Sequence, residues 1–202
     1  MNKNKTRFLT RLAMLIAVMI VLDVTPLGYI KYGTIEITTM MIPVMIGAAI
    51  LGPTGGAILG AFFGLTSFMQ CLGIPSISLF GSTLLSINPF YTFVLCMVPR
   101  IIMGVLSAYV FRWLSKIQPK GVLPYILSSL TAALTNTVLF TSLVIILFGS
   151  SDYISEFRGG MSLLAFVAAF VGINGLIEAV FCTIIGGGLA KVLVKIGERT
   201  KA

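Results

Sequence analysis

The sequence predicts an all-α integral membrane protein, a bundle of six transmembrane helices with both termini on the cytoplasmic side. Hydrophobic residues make up 57% of the 202 residues and charged residues only 10%, and the basic residues gather at the ends of apolar runs. A soluble domain carries about 25% charged residues, so this chain cannot cover a water-facing surface. Because about 20 apolar residues cross a bilayer, the length allows roughly five to seven spans in one membrane domain, 1–202.

Breaks between the predicted spans fall where charged residues, proline and glycine cluster. The first span follows a basic N-terminal segment, ends near Asp23 and lacks a convincing cleavage site, so we interpret it as retained. The turn at 52–56 reverses the chain between the second and third spans. Residues 73–90 are uncharged and only moderately apolar, which suits an external loop or a re-entrant segment better than a crossing. The predicted spans are 8–26, 36–51, 56–72, 91–114, 122–148 and 162–190.

The distribution of charge predicts the orientation. Six spans place alternate loops on opposite sides, and one side then holds eleven basic residues against a single acidic residue, Glu198. The other side holds Lys31 and Arg158 against four acidic residues. The positive-inside rule places the basic side, with both termini, on the cytoplasmic side of the cell membrane. The net charge of +8 therefore reflects topology, and we expect no nucleic-acid partner.

Several classes of chemistry are missing from the sequence. There is no histidine, and the three cysteines have no paired spacing, so neither a disulfide framework nor a metal site is indicated. No G-x-x-x-x-G-K-[ST] phosphate loop, nucleophile elbow or carboxylate pair at useful spacing is present. We expect a protein that is not an enzyme and holds no cofactor.

Arg100 is the first candidate for a functional residue, because it follows Pro99 inside the fourth predicted span. An arginine within the bilayer costs about 2.5–3.5 kcal/mol on insertion scales, so it should face the bundle interior and have a partner. Pro99 has no N–H, which should leave a carbonyl one turn back available to a ligand. Arg100 could form a structural ion pair with Glu178, or its planar guanidinium could bind an anionic group such as a carboxylate.

Three further polar residues fall in the fifth and sixth predicted spans. Asn136 lies near the middle of the fifth, whereas Asn174 and Glu178 are four residues apart on one face of the sixth. Buried amides can serve only as links between helices, worth about 0.6 kcal/mol each. With Arg100, however, these residues occupy three consecutive helices at comparable depths, which is an arrangement suited to a small polar ligand.

Two patterns of small residues stand out in the first three spans. Gly52, Gly56, Gly60 and Gly64 form a ladder with a spacing of four, which predicts close helix packing. Ala13 and Ala17 form an A-x-x-x-A pattern near the cytoplasmic end of the first span. This second pattern could be ordinary packing or a flat docking surface for another membrane protein.

The sequence resembles the substrate-binding S-components of energy-coupling factor (ECF) vitamin transporters. The resemblance is carried by IEITTMMIPVMIGAAILGPTGGAILGAFFGLTSF at 35–68, NPFYTFVLCMVPRIIMG at 88–104, LTNT at 134–137 and NGLIEA at 174–179. These strings look most like the pantothenate-type S-components, and the similarity covers nearly the whole chain.

The resemblance implies a subunit that captures a vitamin outside the cell with high affinity. A shared module of one transmembrane coupling protein and two cytoplasmic ATPases would then topple it and release the vitamin inside. The alanine motif that meets the coupling protein corresponds to Ala13 and Ala17. The pocket of the family lies toward the outer face among helices four to six, which matches the depth argued for the polar residues. Asn88 and Tyr91 are weaker candidates at its mouth, with the 28–36 and 73–90 loops as lids.

Pantothenate carries a carboxylate, two hydroxyls and an amide, so Arg100 would supply the cation and the asparagines would bind the hydroxyls and the amide. Glu178 would repel the carboxylate unless it orients Arg100. If Glu178 instead neutralises Arg100, a pyridoxine- or hydroxymethylpyrimidine-like ring fits equally well, and folate is a further alternative. A non-transporting membrane scaffold, in which the polar residues only join helices, is the alternative from a different class.

Overall fold

The computed structural model describes residues 3–25, 27–32, 35–119, 121–157, 180 and 188. Three of its helices, α2, α4 and α5, are long and apolar enough to cross a membrane. The predicted sixth span, 162–190, lies outside the described residues apart from two isolated positions, and so do Asn174 and Glu178. The described elements are α1 (Lys3–Val24), β1 (Tyr29–Tyr32), β2 (Ile35–Thr38), α2 (Met41–Cys71), α3 (Leu79–Ile87), α4 (Pro89–Ile117), α5 (Leu123–Phe148) and α6 (Asp152–Phe157).

A short β-hairpin follows the first helix, where the sequence predicted a loop and then a span starting at 36. Strands β1 and β2 pair antiparallel, with Lys31 opposite Glu36 in the register. The prediction for the start of the second span is therefore wrong by about five residues, since α2 begins at Met41. The segment Ile35-Glu36-Ile37-Thr38 alternates apolar and polar residues with a period of two, which favours a strand over a helix.

Helix α2 is broken at Gly52, whose φ of 75° and ψ of −164° are not helical. The halves 41–51 and 53–71 fold back on each other, because a Cβ built on Gly56 would lie 3.4 Å from the Cβ of Ala48. Eight residues along a straight helix would instead separate them by about 12 Å. The predicted reversal at this turn is confirmed. Glycine tolerates the positive φ, and Pro53 suits the first turn of the second half.

The glycine ladder packs against α4 as the sequence predicted. A methyl group on Gly56 would strike the carbonyl of Gly104, and one on Gly60 would strike the carbonyl of Arg100. One on Gly64 would lie 2.8 Å from the carbonyl oxygen of Cys96. The contacts on α4 run in the opposite direction at the same spacing of four, so the two helices are antiparallel with their backbones in contact. We call this contact the glycine seam; it fixes the height of Arg100.

Helices α4 and α5 match the predicted fourth and fifth spans to within about three residues, a normal uncertainty for helix ends. The connection between them, 118–122, is short, so they are antiparallel neighbours. The segment 73–90 contains no helix of membrane-spanning length before α4 begins, which agrees with the prediction of a loop or re-entrant segment. The segment contains α3, however, and its Ser78 side chain accepts a hydrogen bond from the N–H of Gly81.

The bundle has two distinct ends. The hairpin end holds β1 and β2, the 72–88 segment and the end of α1, where the Gln70 side chain donates a 2.9 Å hydrogen bond to Asp23. The Gly52 end holds the reversal in α2 and the turn after α4, since Gly52 lies against the guanidinium of Arg112. The basic residues Arg7 and Arg11 at the start of α1 extend toward this second end.

Candidate functional site

Arg100 is buried in the middle of α4, with only 8% of its surface exposed. It lies eleven residues after Pro89, so it is about 16 Å along the helix from the hairpin end. The glycine seam presses the backbone of Gly60 against the Arg100 carbonyl. Both the depth and the burial agree with the prediction that this residue faces the bundle interior.

One terminal nitrogen of Arg100 is anchored to its own helix. Its Nη1 donates a 2.8 Å hydrogen bond to the carbonyl oxygen of Leu95. In a regular helix that carbonyl would accept from the N–H of residue 99, and Pro99 has none. The prediction that this carbonyl would be left to a ligand is wrong, because the arginine itself binds it.

The rest of the guanidinium contacts α2 and α5. Nη2 donates a 3.3 Å hydrogen bond to the Ser67 hydroxyl. The guanidinium carbon lies 4.8 Å from the ring centroid of Phe140 and 5.5 Å from that of Phe63, both within the range of a cation–π contact. The Nε atom is buried and has no hydrogen-bond partner in the part of the chain that the structure describes.

Helix α5 brings further buried polar atoms toward this layer. Asn136 is 6% exposed and lies one turn from Phe140, the residue that contacts Arg100. Its Oδ1, like the hydroxyl of Thr141, finds no hydrogen-bond partner among the described residues. An unsatisfied buried polar group costs about 1–3 kcal/mol, so each of these atoms needs a partner other than the described residues.

Tyr29 of the hairpin adds a hydroxyl from the hairpin end. This oxygen is buried and lacks a hydrogen-bond partner within the described ranges. Burial raises the pKa of Tyr29 above its usual range, while neighbouring Thr66 and the Arg100 cation oppose that rise. The hairpin therefore brings a neutral phenol near the charged guanidinium. The two ends of the hairpin are joined by Thr39, whose hydroxyl donates a 2.7 Å hydrogen bond to the carbonyl of Leu27.

Tyr29, Ser67, Phe63 and Phe140 were not identified from the sequence. Ser67 had a usable signal, because it continues the stripe of small residues formed by Gly60 and Gly64. The two phenylalanines had none, since phenylalanine inside an apolar span is ordinary core composition.

Two cysteines meet beside this layer although they are far apart in the sequence. The sulfur atoms of Cys71 and Cys96 are 3.9 Å apart, and Ser67 also lies within 3.9 Å of the Cys96 sulfur. Cys182 lies outside the described residues. Within the described ranges, no three His, Cys, Asp or Glu side chains come together as a metal site would require.

Asn88 and Tyr91 lie at the hairpin end of α4, away from Arg100. The Asn88 side-chain oxygen accepts 3.1 Å bonds from the N–H groups of Phe90 and Tyr91, so it caps the helix. The Tyr91 ring packs edge-on against Phe148 with centroids 6.1 Å apart. These residues line the end of the bundle rather than the guanidinium layer, and their contact with a ligand stays a prediction.

Ala13 and Ala17 lie on a face of α1 that the rest of the protein leaves exposed. Large apolar residues share this face, including Leu9 at 60% and Met14 at 61% exposure. Packing against the described residues therefore does not account for the alanine pattern.

Comparison with known proteins extends over nearly the whole chain. The family model for the ECF transporter, substrate-specific component, matches residues 7–186. The chain is 31% identical over 209 residues to a protein named pantothenate transporter PanT from Leuconostoc mesenteroides, with 98% of each covered. It is 28% identical over 204 residues to one named pantothenic acid transporter PanT from Lactococcus lactis subsp. cremoris, with 96% of this chain and 97% of that protein covered.

Proposed function

The chain belongs to the ECF transporter substrate-specific component family, and we propose that it binds pantothenate at the Arg100 layer for uptake into the cell. The names of both relatives support this choice of cargo. The observation that carries it is the buried guanidinium, which has an unpartnered Nε within the described part of the protein. A planar cation with a free side is well matched to a carboxylate, the charged group of pantothenate.

In this proposal the remaining polar residues bind or enclose the other parts of the ligand. Asn136 binds a hydroxyl or the amide from α5, and Asn174 does so from the predicted sixth span. Glu178 orients Arg100 instead of contacting the carboxylate, which it would repel. Tyr29 closes the site from the hairpin, while Asn88 and Tyr91 line the entrance.

The proposed topology has six spans in the cell membrane with both termini in the cytoplasm. The basic residues at the Gly52 end support this orientation through the positive-inside rule. The hairpin end then faces outward, which is the side from which a scavenged vitamin arrives.

ATP hydrolysis belongs to partner subunits in this proposal. The exposed face of α1 around Ala13 and Ala17 docks on the transmembrane coupling protein, which carries two cytoplasmic ATPases. Small residues let two helix backbones approach closely, so a bare alanine face is suited to such a contact.

Calorimetric titration of the purified protein with a panel of vitamins tests the cargo. We expect sub-micromolar binding of pantothenate and a loss of about 100-fold or more in Arg100→Ala, because a desolvated charge pair is worth about 2–5 kcal/mol. Arg7→Ala removes the same charge from an exposed position and should leave binding unchanged.

Tight binding of pyridoxine, a hydroxymethylpyrimidine or folate without pantothenate would replace the cargo and keep the family role. No binding across the panel by folded protein would favour the scaffold alternative.

A further inference from the structure

We propose that Pro99 and Ser67 are positioning residues, which hold the Arg100 guanidinium so that its Nε side is presented to the ligand. The inference rests on the proposed binding of a carboxylate at Arg100. Pro99 acts by leaving the Leu95 carbonyl without a helical donor, so that Arg100 binds it. Ser67, on the neighbouring helix α2, acts by accepting a hydrogen bond from the guanidinium.

The hydrogen bonds within α4 are interrupted at Pro99. The carbonyl of Leu95 loses its helical donor because Pro99 has no N–H. Leu95 is 1% exposed, so water does not replace the donor. Arg100 Nη1 does so at 2.8 Å, by folding back along its own helix. With an alanine at position 99, the helical N–H would compete for this carbonyl and Nη1 would lose its fixed acceptor.

Pro99 differs from the other helical prolines in this respect. Pro124 lies in the first turn of α5, and Pro53 follows the non-helical Gly52, so neither removes a bond from the middle of a helix. Among the described helices, Pro99 alone interrupts a continuous run of helical hydrogen bonds. An interior proline costs about 3 kcal/mol relative to alanine, and the bond from Arg100 to Leu95 offsets part of that cost.

The other terminal nitrogen of Arg100, Nη2, is held by a neighbouring helix. Nη2 donates to the Ser67 hydroxyl across the glycine seam, while the guanidinium carbon lies over the rings of Phe63 from α2 and Phe140 from α5. A guanidinium has five N–H donors, and two of them bond to residues that the structure describes. The Nε–H has no acceptor among the described residues, and Nη2 carries a second N–H besides the one that bonds to Ser67. The Nε and Nη2 side of a guanidinium is the fork that a carboxylate binds with both oxygens.

The test compares pantothenate with pantothenol, which carries an alcohol in place of the carboxylate. Calorimetry on Pro99→Ala should show pantothenate binding weakened about tenfold and pantothenol binding changed less than about twofold. The substitution raises helix propensity, so folding is not at risk. Pro124→Ala is the matched control and should leave both ligands unaffected.

Ser67→Ala should give the same selective loss, about three- to tenfold, with no change to helix bonding. Its control is Ser107→Ala, which removes another buried serine of the bundle, one whose hydroxyl donates to the Gly104 carbonyl of its own helix. Adding Pro99→Ala to Arg100→Ala should cause no further loss, because the proline acts through the arginine.

Equal weakening of both ligands in Pro99→Ala and Ser67→Ala, or unchanged pantothenate binding in both, would overturn the inference. Failure of the proposed function looks different: wild-type protein would not bind pantothenate tightly, or Arg100→Ala would bind it as well as wild type.

Discussion

The glycine seam and the exposed face of α1 are two surfaces made of small residues, and the protein treats them in opposite ways. In the seam, Gly56 and Gly60 bring α2 and α4 into backbone contact, so no space remains for even a methyl group. On α1, Ala13 and Ala17 are both exposed. Similar spacing therefore serves a permanent contact in one place and leaves a surface available in the other.

The difference shows that small-residue spacing alone does not tell internal packing from docking. The two surfaces differ in the exposure of the side chains beside the small residues. The seam glycines are flanked by buried side chains such as Leu59 and Phe63, whereas the alanines are flanked by exposed Leu9, Met14 and Val18.

The largest effect is expected from a side chain placed in the seam. Gly60→Val should destabilise the protein by about 3 kcal/mol or more and abolish pantothenate binding, because the new atoms collide with the Arg100 carbonyl. Thermal unfolding in detergent measures the first effect and calorimetry the second. Gly121→Ala is the control, since the atoms nearest to its methyl belong to the Gln118 side chain and not to the backbone of another helix. A stable, binding-competent Gly60→Val protein would show that the seam is not tightly packed.

A smaller and more selective effect is expected on α1. Ala17→Trp should reduce vitamin uptake by whole cells about tenfold while leaving pantothenate affinity and thermal stability unchanged, since the residue contacts no core. Val18→Trp changes an exposed residue of the same helix that is turned about 100° from Ala17, and should be tolerated better. Equal uptake by both variants and wild type would contradict docking through the alanines.

The smallest effect concerns how α1 is attached to the bundle. Gln70→Ala removes the hydrogen bond to Asp23 and should cost about 1 kcal/mol, with faster amide exchange confined to the end of α1. Hydrogen-exchange mass spectrometry reads this directly. Gln118→Ala, at the opposite end of the bundle, should leave α1 unchanged. Faster exchange throughout α4 would mean that Gln70 supports the whole fold instead.

Much of the helical fold could be predicted because the start and end of each long helix depend on nearby residues in the sequence. Runs of about 20 apolar residues ended by charge, glycine and proline predicted α4 and α5 to within about three residues. The hairpin was missed because its strands are four residues long and merge into the apolar run of α2. The cap made by Asn88 before Pro89 was readable in principle, since an asparagine followed by a proline is a common helix start.

The site could be predicted only in part. The burial and depth of Arg100 followed from the cost of a charge in the bilayer. Its binding of the Leu95 carbonyl required knowing which way the side chain folds, and Ser67 and Phe140 depend on the register between helices. These are tertiary facts without a local signal. The predicted roles of Asn136, Asn174, Glu178, Asn88 and Tyr91 remain predictions.

The Gly52 reversal has a consequence for how the molecule fits the lipid. The half of α2 before it extends only about 16 Å, while α4 and α5 each exceed the roughly 30 Å thickness of the hydrocarbon. A short apolar stretch thins the adjacent bilayer or tilts the protein, at fractions of a kcal/mol per Å of mismatch. One sector of the bundle thus matches a thinner membrane than the opposite sector. We expect this uneven hydrophobic thickness to lower the cost of tilting toward the short side.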